Sequence, residues 1–126
     1  MKRILAIDDE KAVRKSFELA LEDTGYRVEA VESGAEAVER ARKGRYDLVF
    51  LDLKMPGMDG VATLRALREI DGQVPIYIVT AFHEEFLGQL QCAADDGLAF
   101  EVVRKPVGAD EIALIARGVF EGPVAS

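Results

Sequence analysis

The sequence predicts an α/β fold, a single five-stranded parallel sheet with helices on both faces. Three observations lead there. Short apolar runs recur along the chain, helical periods lie between them, and 126 residues without a linker or a shift in composition leave room for one domain.

Taken in order, Ile4–Ile7 is an apolar run of buried-strand length. Val13, Phe17, Ala20 and Leu21 then recur at three- and four-residue steps, one helical face, with Gly25 as its stop. Arg27-Val28-Glu29-Ala30 alternates polar and apolar, as a half-exposed edge strand does. Ser33 and Glu36 have the spacing of a capping box and open a helix that buries Val38 and Ala41. Leu48–Leu51 is the second continuous run, followed by a stripe at Val61, Leu64, Leu67 and Ile70 behind Asp59 as cap. Ile76–Val79 is the third run. Phe86, Leu90 and Ala93 make a weaker stripe, and Gly88 and Gly97 predict an irregular helix there, because glycine weakens a helix by about 1 kcal/mol relative to alanine. Cys92 falls in that helix and reads as a small packing residue. Phe100-Glu101-Val102 alternates again, with Val103 following, and Ile112, Ile115, Ala116 and Val119 form the last stripe.

Three central strands and two edges, joined by right-handed crossovers, favour the order 2-1-3-4-5, the doubly wound flavodoxin-like (βα)5 arrangement. The domain is expected over 1–121, with Gly122-Pro123-Val124-Ala125-Ser126 as a flexible tail.

Composition narrows the function. Sixteen Lys and Arg against twenty-three Asp and Glu give a net charge of −7, which disfavours a binder of nucleic-acid phosphates. Cys92 is the single cysteine, so an intrachain disulfide or a thiolate metal cage is excluded. No run approaches the roughly 20 apolar residues of a membrane span, and Ile4–Ile7 is too short for a signal peptide. A cytoplasmic protein without membrane contact is expected.

In an open parallel sheet the binding crevice lies beyond the carboxyl ends of the strands. Asp8-Asp9 follows the first predicted strand, Asp52 the third, Thr80 the fourth and Lys105 the fifth. Three carboxylates and one ammonium leave an excess of negative charge, and crowded carboxylates stay ionised only if something offsets them. A divalent cation would do so, and an all-oxygen site suits Mg2+. The main-chain carbonyl of Lys54 is a further candidate oxygen ligand. A hydroxyl at Thr80 and an ammonium at Lys105 are groups that suit a phosphoryl oxygen.

The segments Ile7-Asp8-Asp9-Glu10, Leu51-Asp52-Leu53-Lys54-Met55-Pro56-Gly57-Met58-Asp59-Gly60, Thr80-Ala81 and Lys105-Pro106 resemble those of a response regulator receiver domain, of the CheY-like superfamily, over essentially the whole chain. The resemblance implies a phosphoacceptor switch of a two-component phosphorelay. Asp52 would take a phosphoryl group from the phosphohistidine of a sensor histidine kinase or phosphotransfer protein. Asp9, Asp52 and the Lys54 carbonyl would hold Mg2+, with Asp8 acting through water. Lys105 and Thr80 would contact the phosphoryl group, and the Lys105–Pro106 bond would be cis. Output would pass to a downstream protein through the surface of the fourth helix, fifth strand and fifth helix, or through a further C-terminal domain. Within the motif, Pro56-Gly57 reads as a turn, and Asp59 and Gly60 as its exit into a helix.

The chain departs from the family where an aromatic residue usually precedes the final lysine by three positions. Here that residue is Val102, with Phe100 two residues earlier on the same expected strand face. Valine has little χ1 freedom to signal with, so whether the usual threonine–aromatic coupling survives here, with Phe100 as substitute or not, stays open at this point. His83 reads as a solvated loop residue, and Phe82 lies in the loop that would move with Thr80. Two other readings remain: a constitutive binding module that keeps the pocket without using it, and an Mg2+-dependent phosphohydrolase. The hydrolase pattern places a second Asp two residues past the nucleophile, where this chain has Lys54.

Overall fold

The computed structural model describes residues 1–53, 59–81 and 83–122, the side chains of His83 and Glu85 excepted. The expectations for Lys54, Pro56-Gly57, Phe82, the His83 side chain and residues 123–126 lie outside what is described. Five strands, β1 (Arg3–Ile7), β2 (Arg27–Val31), β3 (Leu48–Leu51), β4 (Ile76–Thr80) and β5 (Glu101–Arg104), form one parallel sheet in the order β2-β1-β3-β4-β5. They alternate with five helices, α1 (Lys11–Leu21), α2 (Gly34–Lys43), α3 (Gly60–Ile70), α4 (Leu87–Asp95) and α5 (Ala109–Glu121).

Alternation along the strands builds two cores. Ile4, Ala6, Leu48, Phe50 and Val79 face α1 and α5, where Phe17 lies 4.9 Å from Phe50 between ring centroids. Leu5, Ile7, Val49, Leu51, Ile76 and Ile78 face α2, α3 and α4. The continuous apolar runs are therefore the central strands, because side chains of period two must be apolar at every position when both faces are covered. The edge strands β2 and β5 stay partly exposed.

Local signals act as their chemistry requires. Asp59 accepts from the Ala62 amide at 2.8 Å and caps α3. Ser33 accepts from the Glu36 amide at 3.1 Å, the forward half of a capping box. The Glu36 carboxylate lies instead 3.7 Å from Arg40, one turn along.

Four expectations need correction. Cys92 is exposed, since the face of α4 that packs is set by Leu90 and Ala93. Gly97 does not punctuate α4 but follows its end at φ +86°, the left-handed conformation that suits glycine beyond a helix terminus. The irregularity sits at the other end, where a 3-10 turn (His83–Phe86) leads into α4. β5 starts at Glu101, so Phe100 lies outside the strand and packs against the core under α3 and α4. Thr80 is the last residue of β4 rather than the first after it.

Candidate functional site

The site follows from strand register. Ile7 pairs with Leu51, so Asp8 and Asp52 leave the sheet side by side, and the Asp52 amide donates to the Ile7 carbonyl at 3.0 Å. Both side chains are buried, Asp8 at 2% and Asp52 at 4% exposure. Burial of two neighbouring carboxylates is costly unless a cation is close. Lys105 is that cation. Its Nζ donates to Asp8 Oδ2 at 2.8 Å and lies 3.7 Å from Asp52 Oδ1. Leu51 is level with Ile78 and Val102, so Lys105 stands two residues further out than Asp52, and its long side chain reaches back over the sheet edge. The Lys105–Pro106 bond is cis. Burial alone would lower the Lys105 pKa, but its hydrogen bond to Asp8 and the charges of Asp52, Asp8 and Glu10 outweigh it and raise the pKa above its ordinary value.

Asp8 uses both oxygens within the protein: Oδ2 takes Lys105 and Oδ1 accepts from the Glu10 amide at 2.9 Å. Asp9 and Glu10 are exposed at the rim, and with Asp8 they place three carboxylate oxygens within 4.8 Å of one another. This donor set fits a hard divalent cation, which takes oxygen ligands and keeps part of its water.

Residues 4–117 match the response regulator receiver domain family. The chain belongs to that family. It is 38% identical over 112 residues to the response regulator MprA of Mycobacterium leprae, covering 87% of this chain and 47% of MprA. It is 35% identical over 117 residues to the transcriptional regulatory protein PrrA of Mycobacterium bovis, covering 91% of this chain and 50% of PrrA. The receiver thus spans about half the length of these relatives. Among solved structures it is similar to the response regulator TrrA of Thermotoga maritima, solved in complex with Mg(2+)-BeF, at 32% identity and a TM-score of 0.80, covering 95% of this chain and 100% of that one. A CheY-like receiver from Methanospirillum hungatei superposes with a TM-score of 0.83 at 26% identity, covering 97% and 96% of the two chains.

Within the receiver, Asp8, Asp52 and Lys105 converge, Asp9 stands beside them at the surface, and Thr80 closes β4, fully buried, its carbonyl accepting from the Lys105 amide at 3.1 Å. Val102 is 39% exposed on the edge strand. Two supporting residues escape sequence reasoning. Arg14 Nη1 donates to the Asp8 carbonyl at 2.9 Å and fixes the first acidic turn from one helical turn away. At Gly60, a Cβ would fall 2.6 Å from the Asp52 carbonyl oxygen and 2.3 Å from Leu53 Cα, so the start of α3 presses directly on the backbone carrying Asp52. A glycine at a predicted helix start is the only trace of this in the sequence. An apolar cleft of about 430 Å³ opens beside the site between α1 and Lys105-Pro106-Val107, with Val13, Phe17 and Ile112 in its wall. Among the described residues no helix is long and apolar enough to cross a membrane.

Proposed function

We propose that the receiver is a phosphoacceptor switch with Asp52 as acceptor. The observation that supports this best is the position of Lys105, whose ammonium lies 2.8 Å from Asp8 and 3.7 Å from Asp52 at the mouth of a buried acidic pocket. A cation held there by two carboxylates is placed to balance the charge of an incoming phosphoryl group. A carboxylate oxygen of Asp52 attacks phosphorus, the P–O bond forms as the P–N bond of a phosphohistidine breaks, and the imidazole nitrogen keeps the electron pair. Thr80, at the end of β4, is within one residue of the level of Asp52 and is the hydroxyl that would bond a phosphoryl oxygen.

Asp9, Asp52 and the Lys54 carbonyl would hold Mg2+, which supplies further neutralisation of phosphoryl charge when bound. Asp8, with both oxygens engaged by Lys105 and the Glu10 amide, would serve through water. The phosphate donor is a sensor histidine kinase or phosphotransfer protein, and the apolar cleft beside Lys105 gives it a surface to dock on. The functional unit runs over 1–121 with a tail from 122. Its output passes to a downstream protein through the α4–β5–α5 surface, or to a further C-terminal domain.

Incubation with Mg2+ and a small acyl phosphate tests this reading. A slowly decaying adduct of one phosphoryl group by intact mass is expected, absent in Asp52→Asn. In Lys105→Met it should form about a hundredfold more slowly, the scale of losing one oriented donor to a developing negative charge. Absence of any adduct in the presence of bound Mg2+ would favour a passive binding module. Rapid turnover of phosphate esters without an adduct would favour a hydrolase.

A further inference from the structure

A second cleft, larger than the one beside Lys105, lies at the opposite end of the sheet. It measures about 510 Å³ and opens between the C-terminal ends of α2 and α3, below the start of β1 and β3. Its floor is apolar: Leu5, Val49, Leu67, Ile70 and Val74. Its rim is basic, carrying Arg42, Lys43 and Arg45 in a chain whose net charge is −7.

The polar groups of the rim divide into engaged and unengaged. Lys43 is held by Glu39 at 3.0 Å. The Asp71 carboxylate, the acid of the lining, accepts from the Gln73 and Val74 amides at 2.8 and 3.2 Å. The Val74 carbonyl takes Arg68 at 2.6 Å, and the Arg45 carbonyl takes Arg3 at 3.0 Å. Among the described residues, the guanidinium groups of Arg42 and Arg45 have no ion-pair partner, and both side chains are exposed. The helix dipole accounts for cations in the last turn of α2, but Arg45 lies beyond that helix. Between Lys43 and Arg45, Gly44 leaves room for the Arg3 guanidinium, whose Nη1 would lie 2.8 Å from a Cβ there and which donates to the Arg45 carbonyl.

We propose that this cleft binds a small amphiphilic anion, an apolar or aromatic body seated over Leu67, Ile70 and Val74 with its oxyanion between Arg42 and Arg45. The volume falls within the roughly 300–1,000 Å³ of small-molecule sites, and an apolar floor with a few oriented polar groups is their usual lining. A guanidinium recognises phosphate, carboxylate and sulfonate alike through bidentate hydrogen bonds, and the cleft carries two of them. The site shares no residue with the phosphoacceptor pocket, so the proposal stands apart from the reading of Asp52.

Anilinonaphthalene sulfonate, an aromatic body with one sulfonate, is the probe. Fluorescence titration of the full chain should give one saturable site per molecule, weakened by added salt. The Arg42→Ala/Arg45→Ala double variant should bind it about tenfold more weakly, the effect of losing charge-assisted hydrogen bonds. Uncharged phenylnaphthylamine should bind wild type and variant equally. Amide chemical shifts on titration should move in 41–46 and 67–74 and stay still around Asp52. Both arginines are exposed, so an unchanged melting temperature is the check that the variant is folded. Sulfonate binding that is equal in the variant, that fails to saturate, or that moves shifts elsewhere overturns the proposal.

Discussion

Gly60 shows how much of a site can depend on an atom that is missing. Its amide donates to the Leu53 carbonyl at 2.9 Å, and a methyl group there would meet backbone, which cannot swing aside as a side chain can. Gly60→Ala should destabilise the chain by about 3 kcal/mol, the upper range for overpacking, as read by urea denaturation. Glu29 is the second residue with a disproportionate role. Burial alone would push its carboxyl pKa up, but Arg3 at 2.7 Å, Tyr46 at 2.8 Å and Arg40 at 3.1 Å donate to it and hold it below the ordinary range. A depressed carboxyl pKa adds stability that is complete above the unfolded value of about 4.3 and disappears as pH falls through the folded value. Glu29→Gln should therefore cost about 1 to 2 kcal/mol at neutral pH, the net worth of hydrogen bonds to a charged group that remains partly exposed. The difference should vanish in thermal melts near the acid end. Gly60 stands in the sequence as the exit of a turn, without a sign of the backbone it presses on, and Glu29 does not stand out at all. A lone Glu in an alternating strand reads as surface, and only the approach of β1, α2 and the segment before β3 to β2 brings its three partners together.

Among the elements, α4 differs from its neighbours. It is nine residues long, enters through a 3-10 turn and buries only Leu90 and Ala93, with Leu87 60% exposed in its first turn. Its C-cap is Asp96, and Arg65 of α3 ties that end down through a 2.8 Å ion pair. Hydrogen exchange in 87–95 should be faster than in α3, since local stability follows buried apolar contact. Gly88 has open space where a Cβ would go. Gly88→Ala should therefore stabilise the protein by about 0.4–1 kcal/mol through the entropy of the unfolded chain and slow exchange in α4 most. The weakness of this helix was readable from its thin apolar stripe. Its start was not, because Phe86 continues the helical period while the backbone around it is still 3-10. The ends of β1 and β3 were readable for the opposite reason: a buried parallel strand stops where its apolar run stops, which is why Asp8 and Asp52 could be placed in one crevice before any distance was known. What depends on contacts between remote segments, such as Arg14 on the Asp8 carbonyl, has no local signature at all.

Over the whole molecule, the two cores share strands β1 to β4, with β5 adding Val103 to the α1–α5 side, so neither can be lost without exposing the other face of the sheet. Unfolding in urea should be a single transition, with the midpoint from far-UV helix signal matching that from tyrosine fluorescence. The net charge conceals a gradient. Asp8, Asp9, Glu10 and Asp52 gather at the C-terminal ends of the strands, while Arg3, Arg40, Arg42, Lys43, Arg45 and Arg68 gather at the other end. Glu29 and Glu39 offset Arg3, Arg40 and Lys43 at that end, so among the described residues the unpaired positive charge there is that of Arg42 and Arg45.

The exposure of Cys92 has a practical consequence. The chain has one thiol, it faces outward, and the helix that bears it is the one least anchored to the rest. A maleimide dye or a nitroxide label can therefore be attached at a single known point on the unmutated protein. Its anisotropy or line shape would then follow the motion of α4 in real time, with the chain itself providing the reporter.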